Sequence, residues 1–335
     1  ETYDARREMP CWDRPGFDDS AWQDVHVLPP EEAQLVAQPN EPIQITTELA
    51  PVQVTEPTTG IYVFDMGQNM VGWCRLKLRG EEGRKIELRH GERLNPNGTV
   101  YTKNLRDHNR RDPVEEYQKD VYICRGEQHE VFEPHFTYHG FRYVEVSGLS
   151  YRPAESDLTG CVFHSASPLC GEFESSNAML NRLVANTVWS QRGNMHSTPT
   201  DCPQRDERLG WMGDAQIFSQ AACFNMNMAG FFTKWCQDIR DAQVADGRFS
   251  DFSPNPIKDR GEFLAAPAWA DAGVIVPWRV YENYGDKRIL EKHFEAAEDW
   301  IQYVKSQSPD LIWIQGRGND YGDWLNGDNL ILDGW

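Results

Sequence analysis

The sequence predicts a multidomain β + α protein, an antiparallel β-sandwich followed by a helical domain. Three observations carry this: apolar residues alternate with polar ones between about 58 and 150, glycines and Asn-Gly punctuate that stretch, and the apolar period changes to a helical one after about 165. At 335 residues the chain has room for two or three domains.

Residues 1–57 are rich in Pro, Asp and Glu and carry turn-like runs such as Trp12-Asp13-Arg14-Pro15-Gly16-Phe17. They read as the C-terminal end of an N-terminal β domain. Residues 58–160 hold Ile61 to Asp65, Trp73 to Arg79, Lys85 to His90, Asp120 to Cys124 and Phe141 to Val146, each alternating as a half-buried strand does. A longer excursion falls at about 100–118, and its charges, Arg106 to Arg111 included, read as a solvated loop. From 165 to 335 helices dominate. Asn177 to Trp189, Ala215 to Trp235 and Ile289 to Val304 have apolar residues at helical spacing, with Ser175-Ser176-Asn177 and Gly285-Asp286 as helix-start chemistry. The first residue is Glu1, no targeting signal is legible, and the chain reads as a fragment cut at both ends.

Composition narrows function. Lys and Arg total 33 against 52 Asp and Glu, a formal charge of −19 that repels a phosphate backbone and argues against nucleic acid. No apolar run reaches the roughly 20 residues of a membrane span. The eight Cys form no CxxC pair and no zinc-like spacing with His, which favours reduced thiols and implies no metal or cofactor. The 12 Trp are the unusual component, and Trp clustered with carboxylates suits carbohydrate, whose C–H faces stack on rings while its hydroxyls need acceptors. There is no GxSxG, HExxH, GxxxxGK[ST] or strand-adjacent GxGxxG. The stretch His129 to His135 is not HExxH, and His196, although near Asp201 and Cys202, reads better as a packing histidine than as a metal ligand.

The densest chemistry lies in Thr198 to Gln216, where Asp201, Asp206, Glu207 and Asp214, Arg205 and Arg208, and Trp211 precede an apolar helix. Pro203 pushes Cys202 out of the α region. If the helix extends back to Glu207, then Glu207, Trp211 and Asp214 share one face. Glycoside hydrolysis needs a carboxylic acid kept protonated by neighbouring carboxylates, which suits Glu207, with Arg205 orienting one carboxylate and Trp211 as a wall. A salt-bridged loop capping a helix explains the same residues about equally well.

The run DCPQRDERLGWMGDAQ at 201–216 resembles the signature of bacterial α-L-rhamnosidases, glycoside hydrolase family 78. FDMGQNMVGW at 64–73, HGERLNPNGTVYTKNLR at 90–106 and FEPHFTYHGFRYVEV at 132–146 resemble that family's β-sandwich, and ETYDARRE and WDRPGFDDSAW the end of its N-terminal domain. The resemblance implies a concanavalin-like sandwich, then the first half of an (α/α)6 barrel, and removal of terminal α-L-rhamnose from a rhamnosylated glycoside with inversion, in a bacterial protein; the compartment stays open, with a lean to the cytoplasm. It puts Glu207 at the general-acid position, Asp201 and Asp214 at catalytic or sugar-binding carboxylates, and Arg205 and Trp211 in the sugar pocket. Trp269, in a stretch like the family's W-G-D-A with Ala270 for Gly, and Trp324 on a later loop are further stacking candidates, against a packing role for each. The family's general base, a Glu in the later half of the barrel, and its sugar-binding His would fall beyond Trp335, and neither Asp320 nor Asp323 matches the pattern as a substitute. Two other readings remain open here: a carbohydrate-binding protein without catalysis, and an (α/α)6 hydrolase of another sugar.

Overall fold

Alternation along the strands decides which side chains enter the β core. Ile86, Leu88 and His90 are buried while Lys85, Glu87 and Arg89 between them are not, and Cys74, Leu76 and Leu78 alternate in the same way with Arg75 and Lys77. The computed structural model describes residues 1–30, 32–105, 118–205, 207–257, 263–313, 320–322 and 324. Arg106 to Arg111, Asp206 and Asp323 therefore lie outside the described residues. The chain divides into two units, Glu1–Gln38, Glu48–Asn69 and Trp73–Cys161 in the first, and Pro39–Thr47, Met70–Gly72 and Val162–Trp335 in the second.

The strands are β1 (Thr2–Asp4), β2 (Ile43–Leu49), β3 (Gln53–Thr58), β4 (Ile61–Leu78), β5 (Lys85–Gly91), β6 (Arg93–Leu94), β7 (Val100–Tyr101), β8 (Lys119–Ile123), β9 (Glu130–Phe132), β10 (His139–Ser147), β11 (Leu158–Ser165), β12 (Met195–His196) and β13 (Thr198–Pro199). The large sheet runs β1-β8-β5-β10-β4-β11-β2, with β3 and β9 also paired to β4. β5 is antiparallel to both neighbours, with Val144 opposite His90 and Leu88 opposite Asp120. β1 is parallel to β8, so the sheet is mixed at that edge. Phe64, Leu76, Ile86, Leu88, Phe132, Phe141, Val144 and Val146 fill its core.

Among the described residues the second unit carries five helices, α1 (Ala178–Asn194), α2 (Met212–Asn225), α3 (Ala229–Ala242), α4 (Ala272–Tyr284) and α5 (Lys287–Gln307). The Asn177 side chain caps α1 by accepting from the N–H groups of Met179 and Leu180, and Asp286 caps α5 through Arg288 N–H. Gly285, left-handed at φ 67°, closes α4. The expected helical run from Ala215 to Trp235 is two helices. Met226 is extended, Asn227 N–H bonds to Pro168 O at 2.9 Å, and Met228 N–H donates to the Tyr284 hydroxyl at 2.8 Å. Both methionines are buried, so the apolar pattern passes through a break in the backbone. α4 packs against α2, α3 and α5 around Met212, Phe231, Phe232, Trp235, Ile239, Phe249, Val276 and Trp300. No helix among the described residues is long and apolar enough to cross a membrane.

Candidate active site

The site is built on the loop between α1 and α2. β12 and β13 pair antiparallel at its start, Asp201 N–H reaches Leu209 O at 3.0 Å, and Ser253 N–H reaches Gly210 O at 2.9 Å. A Cβ at Gly210 would lie 2.2 Å from Ser253 O, so glycine is required for this approach. Arg208 is left-handed at φ 54°, and α2 begins only at Met212. Glu207, Trp211 and Asp214 are thus not on one helical face, contrary to the register argument. The reversal at Arg208 brings Glu207 back over Trp211 instead, and Trp211 Nε1 donates to Glu207 Oε1 at 2.8 Å.

One cavity of about 530 Å³ is lined by Asp201, Cys202, Arg205, Glu207, Trp211, Asp214, Trp269, Tyr321 and Trp324. All seven residues singled out from sequence are among these nine. Arg205 carries its guanidinium to Glu207 Oε2 at 2.5 Å and lies 3.9 Å from Asp201 Oδ2. Each Glu207 oxygen therefore has a donor. Burial, and then the charge of Glu207, outweigh the hydrogen bond from Cys202 and push the Asp201 carboxyl up to about 6. Burial also raises Asp214, with Glu207 adding repulsion.

Tyr321 and Asp251 were not legible as site residues. Tyr321 stands edge-on to Trp211 (centroids 5.7 Å apart) and Trp324 (5.8 Å), and 4.5 Å from Trp269, so it joins the three tryptophans into one wall. Its hydroxyl donates to Oδ2 of the buried Asp251 at 2.9 Å, and Asp251 Oδ1 accepts from Ala266 N–H at 2.8 Å. One buried carboxylate thus ties three distant segments together, a relation with no local sequence signal. Trp211 also packs edge-on to Phe252 and Phe263. His196 is buried, with Nε2 3.2 Å from Phe163 O, as a packing histidine would be. Trp313 Nε1 donates to Asp320 Oδ2 at 3.1 Å, and Asp320 does not line the cavity.

Two groups of metal-ligand types come together among the described residues. In the first, His139 Nε2 meets Asp120 Oδ2 at 2.8 Å and the rings of His90 and His139 stack 4.1 Å apart at 14°. Near-parallel rings keep their in-plane lone pairs from converging on one ion. The second, Asp201, Cys202 and Glu207, already surrounds the Arg205 guanidinium.

Three family models match along the chain: the α-L-rhamnosidase N-terminal domain over 1–47, the bacterial α-L-rhamnosidase concanavalin-like domain over 55–164, and the bacterial α-L-rhamnosidase 6 hairpin glycosidase domain over 168–331. The chain belongs to the bacterial α-L-rhamnosidase family. An α-L-rhamnosidase of Streptomyces avermitilis is 45% identical over 327 residues, covering 97% of this chain and 30% of that protein. One from Formosa agariphila is 36% identical over 340 residues, covering 98% of this chain and 35% of that protein. The chain thus spans about a third of the length of these rhamnosidases. Among solved structures, the Streptomyces avermitilis α-L-rhamnosidase complexed with L-rhamnose superposes with a TM-score of 0.89, covering 97% of this chain and 30% of that one at 45% identity. The α-L-rhamnosidase from Dictyoglumus thermophilum gives 0.87 at 41% identity, over 93% of this chain and 34% of that one. The rhamnosidase fold, a β domain followed by part of a six-hairpin helical domain, is accordingly the fold of this chain.

Proposed function

We propose that this chain supplies the sugar pocket and the general acid of an α-L-rhamnosidase that releases terminal α-L-rhamnose from a glycoside with inversion. The observation that carries the reading is the gathering of all seven sequence-predicted residues around one cavity beside Glu207. Membership of the rhamnosidase family supports the substrate class.

Glu207 protonates the departing glycosidic oxygen. Its Oε2 carries the proton to that oxygen while Arg205 stays on the other lone pair of Oε2 and Trp211 keeps hold of Oε1. Asp201 and Asp214 accept from sugar hydroxyls, and Trp269 and Trp324 stack on the ring. Inversion needs a base about 6.5–9.5 Å from the acid with water between them. The divisions at about 57 and 165 set off an N-terminal part, the β-sandwich and the helical domain, and the three matched ranges support them. In the full-length protein, Glu207→Gln is expected to lower turnover of an aryl α-L-rhamnoside by about 10²–10⁴-fold with the fold retained. Near-parental activity would overturn the assignment. A panel of aryl glycosides tests the substrate, because hydrolysis of glucosides but not rhamnosides would contradict it.

A further inference from the structure

We infer that Cys202 is a positioning residue whose thiol ties Asp201 to Arg205 and so fixes the guanidinium on Glu207. The inference rests on the catalytic reading above and goes beyond it, since that reading gives Cys202 no role.

The thiol donates to Asp201 Oδ2 at 2.9 Å, accepts from Arg205 Nε at 3.1 Å, and lies 3.9 Å from Glu207 Oε2. The Arg205 side chain is 47% exposed and leaves from a loop, so a single contact at Glu207 leaves its guanidinium free to rotate. A second anchor at Nε fixes the plane of the fork, because Nε–H and a terminal N–H act together as a two-point clamp. The sulfur of Cys202 is that anchor. Pro203, which follows, keeps Cys202 out of the α region, and the Asp201 N–H to Leu209 O bond holds the residue before it.

The thiol also supports Asp201. Oδ1 of Asp201 is buried and makes no hydrogen bond among the described residues, so the Cys202 donor at Oδ2 is its nearest support, with Arg205 at 3.9 Å. Burial, followed by the hydrogen bond to Asp201, pushes the Cys202 thiol up to about 12, so it stays S–H across the working range and donates without adding charge. The charged and titratable groups facing Asp201 are Cys202, Arg205 and Glu207 on its own loop and Asp214 on α2.

The test compares kcat, KM and their pH profiles on an aryl α-L-rhamnoside for the full-length parent, Cys202→Ala and Cys202→Ser. Losing the donor is expected to lower kcat/KM about tenfold or more in Cys202→Ala, and to move the part of the acid limb that Asp201 contributes as an ionised hydroxyl acceptor up by roughly half a pH unit. Serine is expected to restore part of both, since a hydroxyl donates and accepts as the thiol does. A merely space-filling Cys202 would leave the limb in place, and that result overturns the inference. If Cys202→Ala does not fold, the limb of Cys202→Ser decides: an upward displacement from the parent supports the role, and coincidence with the parent overturns it. A parent inactive on every α-L-rhamnoside is a separate outcome that overturns the catalytic reading. In that case infrared titration of Asp201, using Asp201→Asn to assign its band, decides the anchoring role: a higher pKa without the thiol sustains it, and an unchanged one overturns it.

Discussion

Asp201 allows a prediction whose sign and size both come from the site. Its carboxyl is pushed to about 6 from an ordinary 3.8, chiefly by burial, and its side chain is only 12% exposed. That displacement sets an upper bound of about 3 kcal/mol against the ionised form, and screening through the open cavity reduces it to about 1–2 kcal/mol. The folded state holds this proton up to about pH 6 whereas the unfolded chain releases it near 3.8, so the penalty is nearly absent at pH 4, grows through the interval, and is complete above about 6. Asp201→Asn removes the charge and keeps an oxygen for the Cys202 thiol. It is expected to raise Tm by about 2–6 °C at pH 7.5 and by little at pH 4, while lowering kcat/KM on an aryl α-L-rhamnoside by roughly 10–100-fold. Calorimetric scans of parent and variant at the two pH values give the comparison. No gain at pH 7.5, or an equal gain at both, would refute the claim that the site strains this carboxylate, a strain of the kind that functional sites store.

Two further substitutions probe the walls of the cavity. Gly213→Ala places a Cβ 2.6 Å from Cε2 and 2.7 Å from Cδ2 of Trp269, so the ring must move by about 1 Å; KM should rise about tenfold with little change in α2, as far-UV circular dichroism and steady-state kinetics would report. Trp211→Phe keeps a ring against Phe252 but deletes the Nε1 donor to Glu207 Oε1, and is expected to lower kcat about tenfold at nearly unchanged Tm, read by kinetics and calorimetry on the same sample.

What was legible in the sequence was local. Alternation located β5, the 73–78 part of β4 and the 144–147 part of β10 because alternate residues there are buried, and Asn177 marked the start of α1 because capping depends on adjacent residues. α4 was not legible, since its Val274-Ile275-Val276-Pro277 run combines β-branched residues with a proline, both poor helix formers, and tertiary packing overrides them. The break at Asn227 was hidden by two methionines that stay buried on either side of it. At the site, the residues that the cavity gathers were grouped in the sequence on a wrong geometric premise. The 201–216 run carries the carboxylates, but the turn at Arg208 rather than helical periodicity brings Glu207 to Trp211, and one left-handed residue has no signature in residue types. Tyr321 and Asp251 escaped notice because their bond spans 70 positions.

The most direct test of the central claim is the dependence of hydrolysis on the leaving group. General-acid assistance matters most when the departing oxygen is a poor leaving group and least when it leaves unaided. Across aryl α-L-rhamnosides of graded phenol acidity, the full-length protein with Glu207→Gln should approach parental rates on the most acidic phenols and fall progressively, by up to about 10⁴-fold, on the least acidic. A loss of the same size across the whole series, or no loss at any leaving group, would contradict Glu207 as the proton donor.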